Sequence, residues 1–106
     1  MQIRAVVRGV GHYLPERVVP NSEFEGSLET SDEWIKARSG IERRHFAAEG
    51  ETTSDLAIAA ANAALKDAGL SADDMDAIIV ATSTADLTFP SVATMVQAGL
   101  NMQRGF

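Results

Sequence analysis

The chain has 106 residues, 45% of them hydrophobic and 23% charged, with a formal net charge of −6 and no cysteine. That allows one modest globular core burying roughly two thirds of the unfolded surface, and the acidic balance argues against general nucleic-acid binding. The missing thiols exclude disulfides and thiolate metal sites within the chain, and His12 and His45 alone make a zinc centre a poor fit, so no metal is expected. The N-terminus MQIRAVVRGV lacks the core and cleavage site of a signal peptide, and no run approaches the roughly 20 apolar residues of a membrane span. The expectation is a soluble, cytoplasmic protein with no membrane partner.

In chain order, Ile3 to Val10 reads as a buried β-branched strand, followed by a loop through Pro15. Asn21 is placed to cap a short polar helix over Ser22 to Leu28. Thr30-x-x-Glu33 has the spacing of a capping box and Gly40 suits a left-handed stop, so the segment between them reads as a helix of little more than two turns. Ile41 to Phe46 reads as a short strand and Ala48 to Thr52 as polar loop. Thr53 or Ser54 opens the strongest helix, through Ala68 with Gly69 as its stop. Its alanines at 57, 59, 60, 61, 63, 64 and 68 permit close approach to a sheet on one side and a helix on the other.

Ser71 to Asp76 is an acidic connection, and AIIVAT, Ala77 to Thr82, is a continuous apolar run of the kind found in parallel strands covered on both faces. Strand, alanine-rich helix and strand together predict a right-handed βαβ unit. Its exit loop, Ser83 to Pro90, leaves the carboxyl end of the second strand, where open α/β sheets bind ligands. Ser91 caps a further helix through about Ala98. No repeat or Pro-rich linker marks Phe106 as a domain end, so the chain reads as a piece of something longer.

The candidate chemistry centres on Trp34 and Arg38, spaced i,i+4 on one helix face. An indole and a planar guanidinium can hold a flat ligand between or beside them, or can simply stack on one another. Lys36, Arg38, Arg43 and Arg44 crowd with His45 near this helix. That patch fits a phosphorylated ligand or a solvated face balancing nearby carboxylates. Phe89 before Pro90 is either a hydrophobic plug or part of a pocket. Gly9-Val-Gly11 is not a dinucleotide fingerprint, because the third glycine is missing and Pro15 stands where a helix should begin. Neither histidine has a recognisable catalytic partner, and a structural role is the simpler reading for both.

The ordered set GVGHYLPERVVPN, TSDEWIKARSGIERRH and AIIVATSTADLTFPS resembles the N-terminal third of the β-ketoacyl-acyl-carrier-protein synthase III family, across essentially the whole chain. The resemblance implies an α/β, thiolase-like αβαβα layered fold, of which residues 1–106 form an incomplete part of the first repeat, in a homodimer. It implies a decarboxylative condensation joining a short acyl group from acyl-CoA to malonyl-acyl-carrier protein, with acyl-CoA as a substrate and no cofactor. The family's catalytic cysteine, histidine and asparagine are then expected beyond Phe106, leaving no catalytic residue in this segment. It further implies that Trp34 stacks on the adenine of coenzyme A, that Thr30 lies near that base, and that Arg38 contacts the nucleotide end. By the same resemblance, an arginine outside the chain is expected to close the sandwich, and Phe89 to reach the acyl pocket of the neighbouring subunit. A different thiolase-fold enzyme acting on CoA esters, or a non-catalytic CoA-binding or dimerising module, are the rival readings.

Overall fold

The alanine-rich segment forms the longest helix of the computed structural model, which describes residues 1–105. The chain groups into two units, Leu14–Gly50 and Met1–Tyr13 together with the residues from Glu51 onward. Among the described residues no helix is long and apolar enough to cross a membrane.

In the Leu14–Gly50 unit, strand β1 (Arg17–Pro20) pairs antiparallel with β2 (Arg43–Phe46), Val19 opposite Arg44. Helix α1 (Asp32–Ser39) lies between them in the chain. Strand β2 falls within the stretch expected to be a strand. Strand β1 is an addition: RVVP is short and ends on proline, and only its distant partner makes it a strand. The helix expected over Ser22 to Leu28 shrinks to a single 3-10 turn, Asn21–Phe24. Asn21 does not cap it. Its side chain turns inward, only 1% exposed, because Asp32, the Ile41 carbonyl and Arg44 together offer a better set of partners than one amide of a short turn.

Helix α1 ends as expected at Gly40, whose φ of 72° is left-handed and whose amide donates to the Lys36 carbonyl at 2.8 Å. Its start differs from the expected capping box. Ser31, one residue later than Thr30, is the N-cap, accepting from the Trp34 amide at 3.1 Å, and the Asp32 amide is taken by Glu25 at 3.0 Å. The Thr30 amide donates to the Leu28 carbonyl at 2.9 Å, so it leaves Glu33 nothing to reach back to, and Thr30 is not the cap.

In the other unit, α2 (Thr53–Ala68) opens on Thr52, which forms a reciprocal capping box with Asp55, and stops at Gly69, φ 67°. Helix α3 (Val92–Gly99) is capped by Ser91, whose hydroxyl accepts from the Thr94 amide at 3.2 Å, and packs on α2. The low bulk of α2 is used where Gly9 and Gly11 approach it. A Cβ built on Gly9 meets the Ala64 carbonyl and Ala68 Cβ at 2.7 Å, and one built on Gly11 collides with the Ala64 amide. One built on Gly99 of α3 collides with Ile58. At Gly9 and Gly11, therefore, backbone lies directly on the backbone of α2 where only hydrogen fits.

The expected βαβ sheet is not formed. Val6 to Gly9 of the first run and Ala77 and Ile78 of the second line grooves with Ala64 and Leu65 of α2, yet neither run makes a backbone ladder, and the described residues contain only the β1–β2 sheet. Nor are these runs buried strands: Ile3, Val6, Val7 and Val10 are exposed. Ile78 and Val80 are half-buried while Ile79 between them is 94% exposed, so one side faces α2 and the other is open. A strand exists only with a neighbour to pair its amides and carbonyls, and a continuous apolar run implies a second covering layer. Residues 1–105 supply neither.

Candidate functional site

Trp34 sits in the first turn of α1 and is 52% exposed, held at its amide by the Ser31 hydroxyl. Arg38, one turn on, stacks its guanidinium 4.2 Å from the indole centroid. The self-stacked arrangement that the spacing allows is therefore the one adopted, and Arg38 pre-forms one cation–π layer beside an exposed ring. Trp34 also lines an open concavity of about 570 Å³ with Phe24, Leu28, Glu29, Thr30, Ile35 and Arg44. Its walls are mainly apolar, as suits a flat ring system.

Thr30 and Trp34 are thus brought together in one hollow, with Arg38 against the indole. Among the described residues, Thr30 Oγ1 is a buried side-chain oxygen without a hydrogen-bond partner. A hydroxyl in that state costs stability unless something bonds it, and it stands in the wall that Trp34 also lines. The fourth candidate, Phe89, lies in the other unit, on the loop before α3, with its side chain 88% exposed.

Two residues that brace the hollow, Arg44 in its wall and Asn21 bonded to Arg44, were not recognisable from sequence as parts of it. Asn21 Nδ2 donates to Asp32 Oδ1 at 2.9 Å and to the Ile41 carbonyl at 2.7 Å, while its Oδ1 accepts from Arg44 at 2.7 Å. Arg44 also donates to the Val19 carbonyl at 3.1 Å and stacks 4.8 Å from the Phe24 ring. One buried amide so ties the end of β1, the start of α1 and strand β2 together. Asn21 was legible only as a helix cap, since the same side chain that caps locally can cross-link at long range.

This use of Arg44 resolves part of the basic patch as structural. Lys36 is likewise committed, to Asp32 at 3.2 Å and Glu42 at 3.8 Å. The Asn21 amide, then Lys36, hold the Asp32 carboxyl below its usual range, and the hydrogen bond to Asp32 raises Lys36. His45 Nδ1 lies 2.6 Å from the Pro15 carbonyl, which can only accept, so this nitrogen carries the proton and the ring pins the approach to β1.

Asn21→Ala is expected to destabilise the whole protein by about 1–3 kcal/mol, the cost of leaving buried partners unsatisfied. Urea unfolding of the purified variant measures it, and a loss near zero would mean that water replaces the amide.

No family model matches the chain. It is 78% identical over all 106 residues to the β-ketoacyl-[acyl-carrier-protein] synthase III of Cereibacter sphaeroides, of which it covers 33%. Among solved structures, the 3-oxoacyl-[acyl-carrier-protein] synthase III of Aquifex aeolicus superposes with a TM-score of 0.86 at 45% identity, over 92% of this chain and 32% of that one. The priming β-ketosynthase of the R1128 polyketide pathway superposes at 0.88 with 32% identity, over 94% of this chain and 30% of that one. The chain spans about a third of the length of the curated relatives it matches. The resemblance read from three motifs therefore extends over every residue of the chain, whose fold is a partial α/β fold of the thiolase-like condensing enzymes and whose sequence is similar to a third of β-ketoacyl-acyl-carrier-protein synthase III.

Proposed function

We propose that the protein carrying this chain as the N-terminal part of its first thiolase-like repeat is a fatty-acid-initiating condensing enzyme. It transfers a short acyl group from acyl-CoA, by way of a cysteine thioester that frees the CoA thiol, to malonyl-acyl-carrier protein. Loss of CO2 from the malonyl group leaves a carbanion, which attacks the acyl carbonyl and expels the thiolate. The chain itself has no cysteine, so its 106 residues alone carry no such nucleophile and no activity is expected of them. Their contribution is the mouth of the site. Trp34, backed by Arg38, stacks on the adenine of coenzyme A, the Thr30 hydroxyl supplies a polar contact to the base, and the guanidinium serves the nucleotide phosphates.

The single observation that carries this reading is 78% identity over every residue to β-ketoacyl-[acyl-carrier-protein] synthase III. The half-exposed indole beside a hollow with an unbonded hydroxyl supports the coenzyme A assignment. The reading includes a homodimer in the cytoplasm, acting without a cofactor, with the exposed Phe89 reaching the partner's acyl pocket. A condensing enzyme of a polyketide pathway is the second reading, favoured by the 0.88 superposition, though at 32% identity it stands well behind the first.

The full-length protein, given acetyl-CoA and malonyl-acyl-carrier protein, is expected to release one CoA thiol and one CO2 per β-ketoacyl product. Condensation onto some other acceptor, with none onto malonyl-acyl-carrier protein, would move the assignment to the second reading. Absence of any condensation overturns both.

A further inference from the structure

The loop from Ser83 to Pro90 is exposed except at one side chain, Asp86. Asp86 Oδ1 accepts from the Ser54 amide at 2.9 Å, and Oδ2 accepts from the Ser54 hydroxyl at 2.5 Å. Two residues earlier, the Thr84 carbonyl accepts from the Thr53 hydroxyl at 2.5 Å. Ser54 is only 5% exposed, so its end of the Asp86 bonds is buried.

The fastening follows from how α2 begins. Thr52 and Asp55 satisfy each other's amides in the capping box, which leaves the amide of the second helical residue, Ser54, without a local acceptor. Asp86 fills that gap from another part of the chain. A carboxylate is favoured there by the positive end of the helix, and the Ser54 hydroxyl, with its amide, holds Asp86 below the usual carboxylate range, so it is charged at neutral pH. Downstream, Ser91 fixes the loop's other end by capping α3. Phe89 lies between these two anchors with no packing of its own, so its place is set by them.

We infer that Asp86 is a positioning residue for primer selection: through Ser54 it fastens the Phe89 loop to the first turn of α2, and so sets how long an acyl chain the complete enzyme accepts. This rests on the proposed condensing activity and on Phe89 reaching an acyl pocket. Releasing the clasp lets Phe89 withdraw, and longer primers are admitted.

The test compares Phe89→Ala, Asp86→Ala, Ser54→Ala and the double variant Asp86→Ala with Phe89→Ala, in the full-length enzyme. The readout is the ratio of kcat/KM for hexanoyl-CoA to that for acetyl-CoA, with thermal midpoints taken alongside. Phe89→Ala should raise the ratio roughly tenfold or more, the scale on which an apolar pocket discriminates chain length. Asp86→Ala should raise it in the same direction by a smaller factor, and the double variant should not exceed Phe89→Ala alone, because both act on one element. If Asp86→Ala does not fold, Ser54→Ala, which removes only the hydroxyl arm, carries the same expectation. A ratio moved by Phe89→Ala but not by the Asp86 or Ser54 variants overturns the positioning role while leaving Phe89 in place. A ratio unmoved by Phe89→Ala overturns the role of Phe89 and the inference with it. Absence of condensation in the wild-type enzyme instead marks failure of the underlying functional assignment.

Discussion

Trp34→Ala in the complete enzyme is expected to raise KM for acyl-CoA in proportion to about 1–3 kcal/mol of lost stacking, the range for an aromatic ring on a base. The thermal midpoint should change little, since the indole is half-exposed and α1 has no buried residue. The loss should fall on KM more than on kcat, because the base end of the substrate lies far from the reacting carbonyl and binds alike in ground and transition states. Steady-state kinetics with varied acyl-CoA at saturating malonyl-acyl-carrier protein makes the measurement. Unchanged kinetics would remove Trp34 from the site and leave its pairing with Arg38 as surface structure only.

Gly11→Ala should do the opposite, with a large cost to folding at a position that touches no proposed ligand. The added Cβ would collide with the Ala64 amide and lie 2.7 Å from the Ala60 carbonyl oxygen and the Ala63 carbonyl carbon. These are helix backbone atoms, which cannot turn aside as a side chain does. The expected loss is about 3 kcal/mol or more, the upper end of overpacking. Gly26→Ala is the control, because a Cβ there meets nothing within 4 Å, and it should be close to neutral. Thermal or urea unfolding of the two variants decides between them. Equal stabilities would mean that Met1–Tyr13 does not lie on α2 as described.

Much of the local structure was legible because its signals are local. Gly40 and Gly69 end helices at left-handed φ, Ser91 caps α3, and the alanines of α2 admit the close backbone approach they foretold. The i,i+4 spacing likewise brought Trp34 and Arg38 into stacking contact. What went unread depends on partners distant in the chain. Asn21 was taken for a cap because a polar side chain before a turn usually bonds its neighbours, whereas here it bonds Asp32, Ile41 and Arg44. Asp86 gave no sign that it would complete the first turn of α2.

The residues alone determined where α1 and α2 stop, that Ser91 caps α3, which helix face is small enough to be approached by backbone, and the likeness to the thiolase-like condensing enzymes, since each rests on side-chain type at short spacing. Tertiary structure alone decided which extended runs pair, which hydroxyl and amide are buried, and that the indole stands beside a hollow. A ladder, a buried amide and a concavity are properties of groups that meet in space, and no single stretch of chain contains both partners.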